Sequence, residues 1–172
     1  MSAIGRPGPE EAAAYYHNYI QQVPGDDPVA VLAAQLPEFD RFAAAISEDW
    51  SRHRYAPGKW SMREVLAHVT DTERVMAFRA FWFARGLPPD LPSFDQDAAV
   101  ATAGSDQIAW AEHAEEFRRV RAASLDLFRH LSPEAWGRRG VASGNPVSVR
   151  ALAFIVAGHY AHHLRLLRER YL

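Results

Sequence analysis

Cysteine is absent from the 172 residues. That absence excludes disulfides, thiolate metal sites, iron–sulfur clusters and a cysteine nucleophile. A surplus of either charge is also missing, since 19 basic and 21 acidic residues leave a net charge of −2. Nucleic-acid-binding domains are usually basic overall or carry a basic stripe, so no nucleic-acid partner is expected. No apolar run is long enough to span a bilayer, the longest strong one being Ala151 to Ala157, so no membrane partner is expected. Met1 to Pro9 has no apolar signal-peptide core, and a cytoplasmic location is the expectation. Lysine is nearly missing, with Lys59 alone. There is no internal repeat, no long β-branched alternation and no Asn-Gly turn, so strands are not expected.

What is present suits a helical protein. Apolar residues make up 48% and aromatic residues 12%. The length fits one domain over residues 1–172. Glu10 to Gln22 reads as a short helix carrying Tyr15, Tyr16 and Tyr19. Val29 to Ser47 places Val31, Leu32, Leu36, Phe39, Phe42 and Ile46 at helical spacing, with Pro37 inside the run. Ser61 and Glu64 form a capping-box pattern that opens a helix reaching Arg85. Ser93 to Gly104 reads as a loop, Ser105 to Leu131 as a third long helix, and Val147 to Leu172 as the last. Four long amphipathic segments predict an all-α four-helix bundle with a short extra N-terminal helix. Two long connections leave its winding order open.

Eight histidines punctuate these segments. His17, His113 and His130 have polar or charged neighbours and are expected at the surface, and His53 falls in a connection. His68 shares a stripe with Val65, Thr72, Val75 and Arg79, and that stripe turns from apolar to polar along its helix. On the last segment, His159 and His163 are four residues apart, one turn along one face. Two imidazoles at that spacing can chelate one metal ion. His162, three residues from His159, could substitute geometrically. A pair from the last helix plus His68 would give three nitrogen ligands and leave a position for water or substrate.

The run Pro57-Gly58-Lys59-Trp60-Ser61-Met62-Arg63-Glu64-Val65-Leu66-Ala67-His68-Val69-Thr70-Asp71-Thr72-Glu73-Arg74 resembles the first signature of the DinB-like superfamily, in its branch of YfiT-like metal-dependent hydrolases. Phe78-Arg79-Ala80 and Phe94-Asp95-Gln96-Asp97 are similar to the next segments of that branch, and Gly158-His159-Tyr160-Ala161-His162-His163 resembles its C-terminal HxxxH signature. The likeness extends over nearly the whole chain. It implies a four-helix bundle that binds a divalent metal through His68, His159 and His163, favouring His163 over His162. It also implies a metal enzyme, since relatives include thiol-dependent S-transferases, a thiol-dependent isomerase and hydrolases of unknown substrate.

Zinc, nickel and iron(II) all suit histidine ligands. A divalent ion lowers the pKa of a bound water or thiol. Without cysteine, any thiol must be a low-molecular-weight cosubstrate. Asp71, three residues after His68, could orient a ligand or a water, or could simply pair with Arg74. Arg79 could meet an anionic substrate, and Asp95, with Asp97, lies on a loop of the kind that carries function. Trp60, Trp82 and Phe83 read as packing residues. No residue is assigned as general base. The expected activity is a hydrolase or thiol S-transferase acting on a small-molecule electrophile. The alternative is a non-catalytic, stress-related bundle that binds metal or a ligand. A homodimer is a further expectation.

Overall fold

The computed structural model describes residues 4–172. Seven α-helices occur in this range: α1 (His17–Ile20), α2 (Pro28–Ala44), α3 (Met62–Ala84), α4 (Gln96–Thr102), α5 (Trp110–Arg129), α6 (Pro133–Trp136) and α7 (Val149–Arg170). The long ones, α2, α3, α5 and α7, form the four-helix bundle. Its most extensive pairing is α3 with α7, and α3 also packs on α5, while α2 packs on α5 and α7. The consecutive helices α2 and α3 therefore sit diagonally, and the long connections carry the chain across the bundle.

Local chemistry fixes where the long helices begin. Asp27 accepts hydrogen bonds from the Val29 and Ala30 amides at 2.9 and 3.1 Å, with Pro28 at the first helical position. Pro37 lies inside α2 without dividing it. At the start of α3, the Glu64 amide donates to Ser61 Oγ at 3.1 Å and the Ser61 amide donates back to Glu64 Oε2 at 2.7 Å, completing the capping box. Ser148 Oγ accepts from the Ala151 amide at the start of α7.

The core has two halves. Phe83, Phe128, Leu152, Phe154 and Ile155 centre one; Phe39, Met62, Val65, Phe117 and Leu164 centre the other. On α7 the first half ends at Ala157 and the second begins at Tyr160, and on α3 they meet between Val69 and Met76. Buried polar residues gather at this seam: His68, Thr70, Thr72 and Glu73 on α3 and His159 on α7.

One seam assembly is fully bonded. Arg121 is 0% exposed and donates from Nε and Nη2 to the Glu73 carboxylate at 2.8 to 3.1 Å. Its Nη1 donates to Gln35 Oε1 at 2.7 Å and to the Leu32 carbonyl at 3.3 Å. Gln35 Nε2 in turn donates to the Ala157 carbonyl at 2.8 Å. The guanidinium also lies 5.1 and 5.0 Å from the rings of Phe117 and Tyr160. This hub ties together all four long helices.

Several expectations are corrected. The all-α bundle class holds, but strands, which were not expected, do occur: β1 (Asp90–Leu91) pairs in parallel with β2 (Arg139–Ala142), which pairs antiparallel with β3 (Asn145–Ser148), Ala142 facing Asn145. Ser143 and Gly144 have φ of 55° and 73°, the double positive φ of a tight two-residue hairpin turn, so Ser-Gly performs the role expected of Asn-Gly. The supposed loop Ser93 to Gly104 contains α4. Ser105 to Gln107 form only a 3₁₀ turn, and α5 starts at Trp110 because Ala109 is extended. Glu10 to Gln22 consists of short 3₁₀ turns and the single-turn α1. Tertiary contacts hold that segment. Arg6 donates to the carbonyls of Ile20, Val23 and Gly25 at 2.7 to 2.8 Å, and Arg150 pairs with the buried Glu11. His113 is 2% exposed rather than at the surface, its Nε2 lying 2.9 Å from the Ser105 carbonyl. No helix among the described residues is long and apolar enough to cross a membrane.

Candidate metal centre

His68 projects from α3, and His159 and His163 from successive turns of α7. The α3–α7 packing brings their Nε2 atoms together, 3.0 Å between His68 and His159 and 3.1 Å between His163 and His159. One ligand atom from each lies within 4.8 Å of the others. Tetrahedral zinc with bonds of about 2.0–2.1 Å separates its nitrogens by about 3.3 Å, so the cluster is close to the spacing a shared ion requires. His68 and His159 are buried and His163 is half-buried. His162 stays outside the cluster, its ring 5.0 Å from that of His163.

The surroundings keep these imidazoles neutral. Burial pushes His68 down to about 4, against the upward pull of Asp71 and Asp97. Burial, assisted by His68 and His162, pushes His163 down to about 3. His159 is held well below the ordinary histidine range by burial and then by His163, His68 and His162. Neutral imidazole is the form that ligates a metal. Nδ1 of His68 and of His163 are buried with no hydrogen-bond partner. If those atoms carry the ring protons, the Nε2 lone pairs of His68 and His163 both face His159 Nε2, an arrangement that a shared cation would stabilise. The three nitrogen donors thus fit a divalent ion.

Two neighbours escaped the sequence reading. The Tyr19 ring meets His159 and His162 edge-on, with centroids 5.3 and 5.5 Å apart. Gly158 permits this approach, because a Cβ there would lie 2.0 Å from the Tyr19 carbonyl oxygen. A glycine directly before His159 was the available signal for a close backbone contact. On the other side Trp60 packs tilted against His68 with centroids 5.1 Å apart.

The remaining sequence candidates are not among the three clustered donors, although Asp71 and Asp97 act on His68 electrostatically. Asp71 Oδ1 accepts a hydrogen bond from Arg74 at 2.9 Å, and Arg74 also donates to Glu116. Arg79 is buried farther along α3. Asp95 is exposed and caps α4, accepting from the Asp97 and Ala98 amides at 3.1 and 3.0 Å.

The sequence model of the DinB superfamily matches residues 32–167, most of the chain. The chain belongs to the DinB superfamily. Among solved DinB-like folds, YfiT from Bacillus subtilis superposes with a TM-score of 0.68 at 16% identity, covering 95% of this chain and 93% of that one. YfiT is described as a probable metal-dependent hydrolase with an unusual four-helix bundle topology. A mycothiol-dependent maleylpyruvate isomerase gives a TM-score of 0.64 at 13% identity, over 84% of this chain and 61% of that one. A DinB-like protein from Bacillus subtilis gives 0.59 at 18% identity, over 82% and 86%. At these identities the likeness establishes the fold. No curated protein matches the sequence.

Proposed function

We propose that this DinB-superfamily protein is a divalent-metal-dependent enzyme in which His68, His159 and His163 hold the ion. The observation that carries this reading is the convergence of three Nε2 atoms from two helices at the seam of the core. Zinc, nickel and iron(II) are the ions that suit these ligands. A divalent ion there would lower the pKa of a water or an exogenous thiol and so supply a nucleophile near neutral pH. The chain's contribution is positional. The α3–α7 pairing aims the three imidazoles, burial keeps them unprotonated, and Trp60 and Tyr19 pack against the rings of His68 and His159. With an ion held there, a nucleophile of this kind could attack a small-molecule electrophile, as a hydrolase or a thiol S-transferase requires. YfiT, described as a probable metal-dependent hydrolase, and the mycothiol-dependent isomerase support this reaction class through their shared fold.

One observation favours a second reading, a non-catalytic bundle that binds metal or a ligand. No carboxylate bonds to Nδ1 of His68 or His163, and Asp71 is engaged by Arg74. Metal content, measured by mass spectrometry on native protein and on a His159→Ala, His163→Ala variant, tests both readings. About one equivalent in the native protein, lost in the variant, is expected. No uptake from zinc, nickel or iron(II) solutions would defeat both metal readings. The loaded protein is then given electrophiles with and without added thiol. Thiol consumed with the electrophile marks a transferase, product without thiol marks a hydrolase, and neither marks the binding protein.

A further inference from the structure

Three arginines are enclosed almost completely: Arg63, Arg79 and Arg121. Two of them have carboxylates. Arg121 is bonded to Glu73, and Arg63 is bonded to Glu48 as well as to backbone carbonyls. Arg79 differs. It is 3% exposed, and its hydrogen-bond partners among the described residues are neutral. Nη2 donates to the Pro92 carbonyl at 2.9 Å and to Ser143 Oγ at 3.2 Å, while Nη1 has only Met76 Sδ at 3.9 Å. A buried charge is costly unless it is paired and hydrogen-bonded. Arg79 keeps donors to spare.

Arg79 lines a cavity of about 330 Å³, walled otherwise largely by Val75, Phe78, Leu91, Pro92, Ser93 and Phe94. Phe78 is 49% exposed, leaving apolar surface open there. Arg74 also borders the cavity, but Asp71 and Glu116 already engage it. We propose that this cavity binds a small organic carboxylate, with the Arg79 fork holding the carboxylate and the apolar walls holding an aromatic or aliphatic body. The planar guanidinium matches two carboxylate oxygens at once. Arg79 follows His68 by eleven residues, which places it on the same face of α3 about 16 Å along the axis. None of the three histidines lines the cavity, so the proposed carboxylate site is separate from them. It goes beyond the metal reading and does not depend on it.

Calorimetric titration and thermal unfolding test the proposal with phenylacetate and its neutral analogue phenylacetamide. Phenylacetate is expected to bind the full chain at least tenfold more tightly than the amide and to raise its unfolding temperature. Arg79→Met should abolish that preference. Arg79→Lys should keep a preference while weakening phenylacetate about tenfold, since it retains charge but loses the fork. Ligand-free Arg79→Met should unfold at the same or a higher temperature than the native chain, because an unpaired buried charge has gone. A His159→Ala, His163→Ala variant should keep the preference for the acid. Equal binding of acid and amide, no binding of either, or an acid preference surviving in Arg79→Met would overturn the proposal. So would loss of the preference in the histidine variant, which would move the carboxylate to the metal centre. A failed metal reading would instead appear as absent metal with the Arg79-dependent preference intact.

Discussion

Two polar groups sit at the seam of the core, and they are finished differently. The Arg121 hub closes on itself: guanidinium, carboxylate, amide and helix carbonyl share one continuous set of hydrogen bonds. The histidine cluster has its Nε2 atoms pointing at one another and two Nδ1 atoms unpartnered. Both lie at the seam between the two halves of the core, so burial alone does not separate them. The difference is whether the chain supplies the counterpart. The hub carries its own, which marks it as structural. The cluster gathers three neutral donors with no carboxylate of the chain among them, the composition on which the proposed metal reading rests.

Breaking the closed centre should have the largest effect. Arg121→Leu strands the Glu73 carboxylate among apolar neighbours and should cost about 3–5 kcal/mol, measured by denaturant unfolding. Replacing both partners, as Arg121→Met with Glu73→Leu, should return stability to within about 2 kcal/mol of the native chain. A double replacement as damaging as the single one would show that the hub's other bonds, not its charges, matter most.

The open centre should respond instead to what is added. Free zinc at a hundred times its dissociation constant should stabilise the native chain by about 2.7 kcal/mol in thermal unfolding. The His159→Ala, His163→Ala chain should gain nothing. An equal gain in both would place the ion elsewhere.

A smaller effect concerns a second closed contact, the Glu11–Arg150 pair. Burial works to raise the Glu11 carboxyl, but hydrogen bonds from Arg150, the Gly8 amide and Ser148 prevail and hold it down to about 2. A carboxyl depressed in the folded state contributes its full stability above its unfolded value near 4.5 and loses it as pH falls toward 2. This loss should be about 2 kcal/mol, read from unfolding at a series of pH values. Glu11→Gln should flatten that part of the profile. An unchanged acid profile would mean that other carboxyls dominate it.

Much of this is legible in residue order. Helical spacing marks the four long helices, Ser61 and Glu64 mark the start of α3, and the interval from His159 to His163 marks one helix face. These are local signals, confined to a few turns. The errors arise where distant partners decide. Nothing local singles out Arg121, because its partner Glu73 stands 48 positions earlier. His113 reads as exposed until the Ser105 carbonyl meets it across a turn. Asp95 reads as a loop residue available for binding, but the short Ala-rich helix after it uses its carboxylate as a cap. The N-terminal stretch looks helical by composition, yet contacts to α7 shape it more than its own propensity does. Spacing alone leaves His162 and His163 both open as partners of His68, and the packing of α3 against α7 brings His159 and His163 to it.

The attachment of the N-terminal segment to α7 also has a consequence for synthesis. Glu11 emerges from the ribosome 139 residues ahead of its partner Arg150, and His68 emerges 91 residues ahead of His159. At about 5–20 residues per second, the first segment waits roughly 7–28 s for the surface it will cover. No nascent chain lacking α7 can hold either the N-terminal segment or the three nitrogens in place. An ion at the proposed site would therefore be acquired only after the final helix has been made, and a chain truncated before Val149 should be both unloaded and loose at its beginning.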